Sequence, residues 1–321
     1  MRVDTIDADS DSAIPRHVLV VEDSSGNKST VEIAYYGATI MRWNCLKQER
    51  LWLSSLSAMD GSAPIRGGIP IAFPQFADNG RLKLHGFARQ CVWNLITELS
   101  DETAEEETAV FELSDDEGTK FLWNFGFKLI YRIKLTINSL HLEFDVINTS
   151  DKDWEFSTCF HTYFKTDDIR QVSLTGLQNC EYIDKVDGRK VKREEHESID
   201  IERGSIESNG FVDRIYNCDR LIESTRSSSK RGGGGSSNSV SVVDSSSSSS
   251  SSGGGDESKS DQDFYQLVLR DVSKKSIYHL LHSVSYKETV VFNPWIEGKK
   301  GLAHPDFDDD GYNYLICVEP G

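Results

Sequence analysis

Between Phe127 and Val146 the chain alternates so regularly that few folds can accommodate it. Leu129, Tyr131, Ile133, Leu135 and Ile137 are separated by mostly polar residues. After Asn138 and Ser139, the apolar Leu140, Leu142, Phe144 and Val146 alternate with His141, Glu143 and Asp145. A period of two puts every second side chain on one face, so the segment predicts a β-hairpin with one buried face per strand. The same reading predicts strands near Val18–Val21, Thr30–Tyr36, Thr39–Trp43, Val110–Leu113, Val172–Leu174, Tyr265–Leu269 and Thr289–Val291. No stretch of a dozen residues carries a 3.6-residue period. Many short strands punctuated by Gly, Asn and Asp predict an all-β protein, an antiparallel sandwich or barrel.

Composition narrows the function classes. Of 321 residues 37% are hydrophobic, enough for one large β domain or two smaller ones. The formal net charge of −17 argues against general nucleic-acid binding, which needs a basic face to neutralise phosphates. A small anionic substrate stays open if a few arginines make a locally positive pocket. Acid-rich stretches at Asp101–Glu107 and Asp306–Asp310 read as solvated loops. The six cysteines, Cys45, Cys91, Cys159, Cys180, Cys218 and Cys317, form no C-x-x-C pair and match no zinc spacing. They read as reduced thiols of a cytoplasmic protein. Met1–Ile14 is polar, acidic and expected to be flexible, without the pattern of a signal peptide. No apolar run approaches the ~20 residues that span a bilayer, so no membrane partner is expected.

The strongest compositional break covers about 224–263, with Gly232–Gly235, Ser245–Ser252 and Gly253–Gly255. Such a tract buries too little apolar surface to offset its ordering entropy and is expected to be a disordered insertion. The segment after it is too short to be a comfortable independent β domain. The expectation is therefore a single domain over 1–321, interrupted by a loop.

Three segments mix residues of catalytic type with glycine, proline and aromatics. Arg66-Gly-Gly-Ile-Pro-Ile-Ala-Phe-Pro-Gln75-Phe is followed by Leu84-His85-Gly-Phe-Ala-Arg89. Two glycines and two prolines in so short a run disfavour a helix or central strand and suggest a shaped loop presenting Arg66, Gln75, His85 and Arg89. Arginine suits phosphate because its planar fork donates two hydrogen bonds, although both arginines could equally be surface charges. Phe156-Ser-Thr-Cys-Phe-His161-Thr-Tyr163-Phe puts a histidine in an aromatic, strand-like context. It is either a proton donor or acceptor at neutral pH or a satisfied core residue. In Tyr314-Leu-Ile-Cys-Val-Glu319-Pro-Gly a carboxylate ends an apolar strand; Asp213 is enclosed by apolar residues, with Arg214 offering a local ion pair. His279 and His282 lack an acidic neighbour and read as packing or surface residues, not metal ligands. Trp123, Phe164 and Trp295 could stack on a sugar, but core packing is the default for each.

Taken in order, Arg-Gly-Gly-Ile-Pro with Phe-Pro-Gln-Phe, His-Gly-Phe-Ala-Arg, Phe-His-Thr-Tyr-Phe, Val-Asp-Arg-Ile-Tyr, Asn-Pro-Trp and Cys-Val-Glu-Pro-Gly resemble the glucose-6-phosphate 1-epimerases of the aldose-1-epimerase group. The resemblance runs from about Thr30 to Gly321, apart from the Ser/Gly tract. It implies a galactose-mutarotase-like β-supersandwich and interconversion of the α and β anomers of a hexose 6-phosphate; a monomer is expected. It casts His161 as general acid and Glu319 as general base. Arg66 and Arg89 would grip the phosphate, with Gln75, His85 and Asp213 on sugar hydroxyls. No metal or other cofactor is implied. The family pattern differs at Ala77, where glycine is usual, and at Lys83 and Leu84, where proline and glutamine are common. The chain also stops at Gly321, where the resemblance implies further strand, so Glu319 is expected on a fraying end. Two rival readings are a non-catalytic sugar-phosphate sensor and a glycoside hydrolase pairing Asp213 with Glu319. The sensor needs neither His161 nor Glu319, and the hydrolase leaves the arginines without a purpose.

Overall fold

The computed structural model describes residues 14–103, 105–200, 211–219, 221, 239–244, 264–294 and 306–321. The alternating segment is a hairpin, Phe127–Thr136 with Ser139–Asn148, in which Leu140 faces Leu135 and Phe144 faces Tyr131. Leu129, Tyr131, Ile133, Leu135, Leu140, Leu142 and Phe144 are all buried, whereas Ile137 at the reversal is only partly so. Each of the other predicted strands is present, most within a residue or two, although that expected at Val110–Leu113 begins at Glu106. The α-helix Glu117–Leu122, capped by Asp116, is six residues long and too brief to show a helical period.

The strands named among the described residues pair antiparallel and build three main sheets, with one isolated parallel bridge between Phe73 and Gly86. A four-stranded sheet comprises Arg16–Glu22, Lys28–Ala34, Ile40–Cys45 and Gln48–Glu49. A ten-stranded sheet holds the hairpin at its middle, and a six-stranded sheet ends with Leu315–Pro320. One apolar core joins them, with Ile33 and Trp43 from the first, Phe111 and Leu267 from the second, and Tyr216, Val291 and Val318 from the third. Residues on both sides of the Ser/Gly tract contribute, as Tyr216 and Tyr265 show.

The structure corrects three expectations. Within 224–263, Ser239–Asp244 is a strand of the ten-stranded sheet, between Ser139–Asn148 and Ser276–Ser283. Its Val240 and Val242 are buried; a six-residue alternation was masked by the serine and glycine around it. The rest of that expected insertion lies outside the described residues. So does the N-terminus before Ile14, but Ile14 itself is buried against Ala34, Met41 and Ile65. Finally, Leu315–Pro320 is an interior strand, flanked by Tyr163–Lys165 and Glu288–Asn293. Gly321 exchanges backbone hydrogen bonds of 3.0 Å with Glu288 in both directions, so Glu319 does not sit on a frayed end.

All six cysteines are free, five of them buried and Cys91 partly so. Among the described residues no helix is long and apolar enough to cross a membrane. Phe73 anchors the packing under the first polar segment. It is fully buried, with ring centroids 5.6–6.4 Å from Phe87, Trp123, Phe127, Phe144, Trp154 and Phe156. Truncating it removes those contacts and leaves a cavity, so Phe73→Ala is expected to cost about 3–5 kcal/mol. Urea denaturation checks this, and a loss below 1 kcal/mol would mean the cluster collapses around the gap.

Candidate active site

Backbone pairing, not proximity in sequence, assembles the site. Ile71–Ala72 pairs with Cys159–Phe160, placing the arginine–glycine segment beside the histidine segment. The amide of His161 donates to the Pro70 carbonyl at 3.0 Å, and that of Tyr163 donates to Gly68 at 2.9 Å. On the other side, Phe87 donates to Phe73 at 3.0 Å and draws in the His85–Arg89 segment. Gly68 can take part because its φ of +67° and the lack of a Cβ allow contact with Ile40, whose carbonyl accepts from the Ile69 amide. The C-terminal strand joins through the Val318 amide, which donates to Thr162 at 3.3 Å.

Alternation along that strand then sorts its side chains. Ile316 and Val318 enter the main core, whereas Leu315 and Cys317 pack on the opposite face with Trp52 and Tyr163. Glu319 falls on this second face by the period of two. The ladders align Tyr163 with Cys317, Cys317 with Phe292, and Phe292 with Asp213, in one row across four strands.

His161 Nδ1 lies 3.1 Å from Glu319 Oε1. The direction is off the ring's hydrogen-bonding line, and Nδ1 makes no hydrogen bond although it is shielded from solvent. The other ring nitrogen, Nε2, is 3.4 Å from the Tyr163 hydroxyl, and the two rings stack at 4.5 Å and 5°. The thiol of Cys159 donates to Glu319 Oε2 at 3.6 Å. Burial, followed by the Asp213 charge, pushes Glu319 up to about 8. Burial holds His161 well below its ordinary value, reinforced by His85, Arg89 and Arg66. In the free site the proton therefore rests on the carboxyl and the imidazole is neutral.

Two guanidinium groups border this pair. Arg66 Nε is 3.3 Å from Asp306 Oδ2. Arg89 is buried; Nη2 donates to the Leu84 carbonyl at 2.8 Å and Nε has no hydrogen-bond partner. Burial lowers Arg89 to about 10, and the charge of Arg66 adds to the effect. A buried cation with an unused donor beside a second cation is prepared for an anion. His85 sits edge-on to His161 with centroids 5.2 Å apart and accepts at Nδ1 from the Ala77 amide at 3.2 Å. Burial, then Arg89 and Arg66, lower it to about 3, so it is neutral.

Two residues differ from the sequence reading. Gln75 is buried, and its amide is committed to the loop: Nε2 donates to Ala77 and Leu82 carbonyls, while Oε1 accepts from the Leu82 amide. It shapes the turn that carries His85. Asp213 pairs with Lys185 at 2.9 Å, not with its neighbour Arg214, which points to Glu194 and lies over Tyr182. Sequence reasoning gave no role to Tyr163, Lys185 or Asp306. Tyr163 could have been found as the same-face neighbour of His161 two residues on; Lys185 and Asp306 leave no local signal.

Comparison with known proteins bears on this site. A protein from Cenchrus ciliaris named "Putative glucose-6-phosphate 1-epimerase" is 27% identical over 296 residues, covering 90% of this chain and 74% of that protein. One of the same name from Escherichia coli K12 is 34% identical over 177 residues, 54% of this chain and 56% of that protein. The crystal structure of a "putative mutarotase (YeaD)" from Salmonella typhimurium superposes with a TM-score of 0.64 at 21% identity, over 96% of this chain and 85% of the other. That likeness shows the galactose-mutarotase-like fold. The aldose 1-epimerase family model matches residues 20–321, and the chain belongs to that family.

Proposed function

We propose that this family member interconverts the α and β anomers of hexose 6-phosphates, with glucose 6-phosphate the first substrate to test. The observation that carries the reading is the His161–Glu319 contact at 3.1 Å, bordered by Arg66 and Arg89. A hemiacetal opens when a base takes the O1 proton while an acid protonates the ring oxygen. Rotation about C1–C2 and closure on the other face yield the second anomer. Glu319 serves as the base and His161 as the acid. Each contributes roughly 10²–10⁴-fold.

Substrate charge sets the pair for this work. A phosphate between Arg66 and Arg89 neutralises two of the charges that keep His161 unprotonated. With those charges met by the phosphate the imidazole is easier to protonate, and Glu319, once ionised, accepts from O1. In this reading His85 and Asp213 hold hydroxyls, and Gln75 acts one step away by shaping the loop. The names of the Cenchrus and Escherichia relatives support the phosphorylated substrate. A sugar-phosphate sensor would have no use for a buried acid–base pair.

Two-dimensional exchange NMR on glucose 6-phosphate tests the proposal. Exchange well above the spontaneous rate is expected, with loss in His161→Ala. Arg89→Ala should lose more on glucose 6-phosphate than on glucose. A folded wild type without acceleration would sink the catalytic reading; equal losses on both sugars would sink the phosphate role.

A further inference from the structure

The side chains around Glu319 have a second chemistry that sugar isomerisation does not use. His161 Nδ1, Cys317 Sγ and a Glu319 oxygen all lie within 4.8 Å of one another. Nitrogen, sulfur and oxygen donors so grouped are the set that a borderline-soft divalent cation selects. Magnesium and calcium prefer all-oxygen shells and are disfavoured here. The three donors come from two backbone-tied segments, so the cluster is built into the fold. The imidazole is presented for ligation, because Nδ1 is shielded and makes no hydrogen bond while Nε2 faces the Tyr163 hydroxyl. The thiol of Cys159, bonded to Glu319 Oε2 at 3.6 Å, orients the carboxylate as an outer partner of a ligand would.

We infer that His161, Cys317 and Glu319 form a binding site for Zn²⁺ or a similar thiophilic divalent cation, which blocks the active site when occupied. Three protein ligands leave one coordination position of a tetrahedral zinc site unfilled by the protein. Binding deprotonates the Cys317 thiol, and the Glu319 carboxyl where it is protonated. Those protons leave to solvent, and no electron transfer is involved. The cation occupies His161 and Glu319, so metal and sugar exclude one another. That inhibition rests on the proposed function; the binding does not.

Isothermal titration of the full chain with Zn²⁺ gives the primary test, with Co²⁺ absorption as a second readout. One ion per chain is expected, with a thiolate-to-cobalt charge-transfer band and tetrahedral d–d bands. Changing an outer-shell partner typically weakens metal binding about 10–100-fold, so losing a direct ligand should cost at least about 10-fold. Cys317→Ser is therefore expected to weaken Zn²⁺ binding by that much and to abolish the charge-transfer band. Cys45→Ser, at a buried thiol far along the chain, should change neither. Glucose 6-phosphate should weaken Zn²⁺ binding, and Zn²⁺ should suppress anomer exchange, with chelator restoring it. No stoichiometric binding, or binding unchanged in Cys317→Ser, overturns the site. Binding that depends on Cys317 but leaves exchange untouched upholds the metal site and overturns the catalytic assignment of His161 and Glu319 instead.

Discussion

Glu319→Gln is expected to abolish most anomer exchange and yet make the protein more stable at pH 8. The amide keeps the shape of the side chain but cannot take a proton from O1, so the rate should fall by roughly 10²–10⁴-fold. Stability follows from burial. The carboxyl titrates near 8 in the fold against an ordinary value of 4.5. Between those values the folded state holds one more proton than the unfolded state, so stability falls as pH rises through the window. At pH 8 the penalty is on the order of a few kcal/mol. Glutamine carries no such penalty. His161, depressed in the fold, destabilises below its ordinary value in both proteins and cancels in the comparison. Urea denaturation of both at pH 5, 6.5 and 8 should give curves that separate progressively with pH. A constant difference, or a variant less stable at pH 8, would mean that Glu319 is solvated or paired in the fold.

Gly68→Ala is the second large effect. A Cβ there would stand 2.1 Å from the Ile40 carbonyl oxygen and 3.1 Å from Met41 Cα, on a backbone with φ of +67°. The left-handed conformation costs a non-glycine residue about 1–2 kcal/mol, and forced displacement of packed neighbours adds about 1–3 kcal/mol. Gly26 separates the two contributions. Its φ is +77°, but nothing lies within 4 Å of its Cβ position, so Gly26→Ala should lose only the backbone part. Gly68→Ala should also lose anomer exchange, because Gly68 accepts from Tyr163 at 2.9 Å and adjoins the backbone that carries Arg66. Thermal melts of both variants decide the matter. Equal losses would show that Ile40 yields freely and that the segment is not pinned.

The hairpin at Phe127–Asn148 was legible because a period of two is local and each residue states its own face. The three polar segments were legible as unusual, and their ordered resemblance to a family supplied roles for His161, Glu319, Arg66 and Arg89. Their convergence was not legible from spacing, since pairing of Ile71–Ala72 with Cys159–Phe160 depends on the whole chain. The partner of Asp213 was not legible for the same reason: adjacency offered Arg214 as one alternative, but neighbours in a strand point to opposite faces. Gln75 shows a further limit. Its residue type fits a sugar contact as well as a loop brace, and its bonds to Ala77 and Leu82 depend on a turn geometry that spacing does not reveal. Composition over a window concealed Ser239–Asp244, where the informative scale was six residues.

That strand has a consequence for how the chain folds and how it can vary. On one side of the ten-stranded sheet, Glu106–Ser114, Phe127–Thr136 and Ser139–Asn148 follow one another as a local meander. On the other, Phe264–Asp271 and Ser276–Ser283 are a local hairpin. Each half can form early from contacts close in sequence, but among the described strands of this sheet the halves are joined through Ser239–Asp244, whose partners in the meander lie roughly a hundred residues upstream. Joining them is thus the entropically expensive event and belongs late in folding. The cost of closing such loops grows only with the logarithm of their length. The six residues Ser239–Asp244 cannot be deleted without parting the sheet.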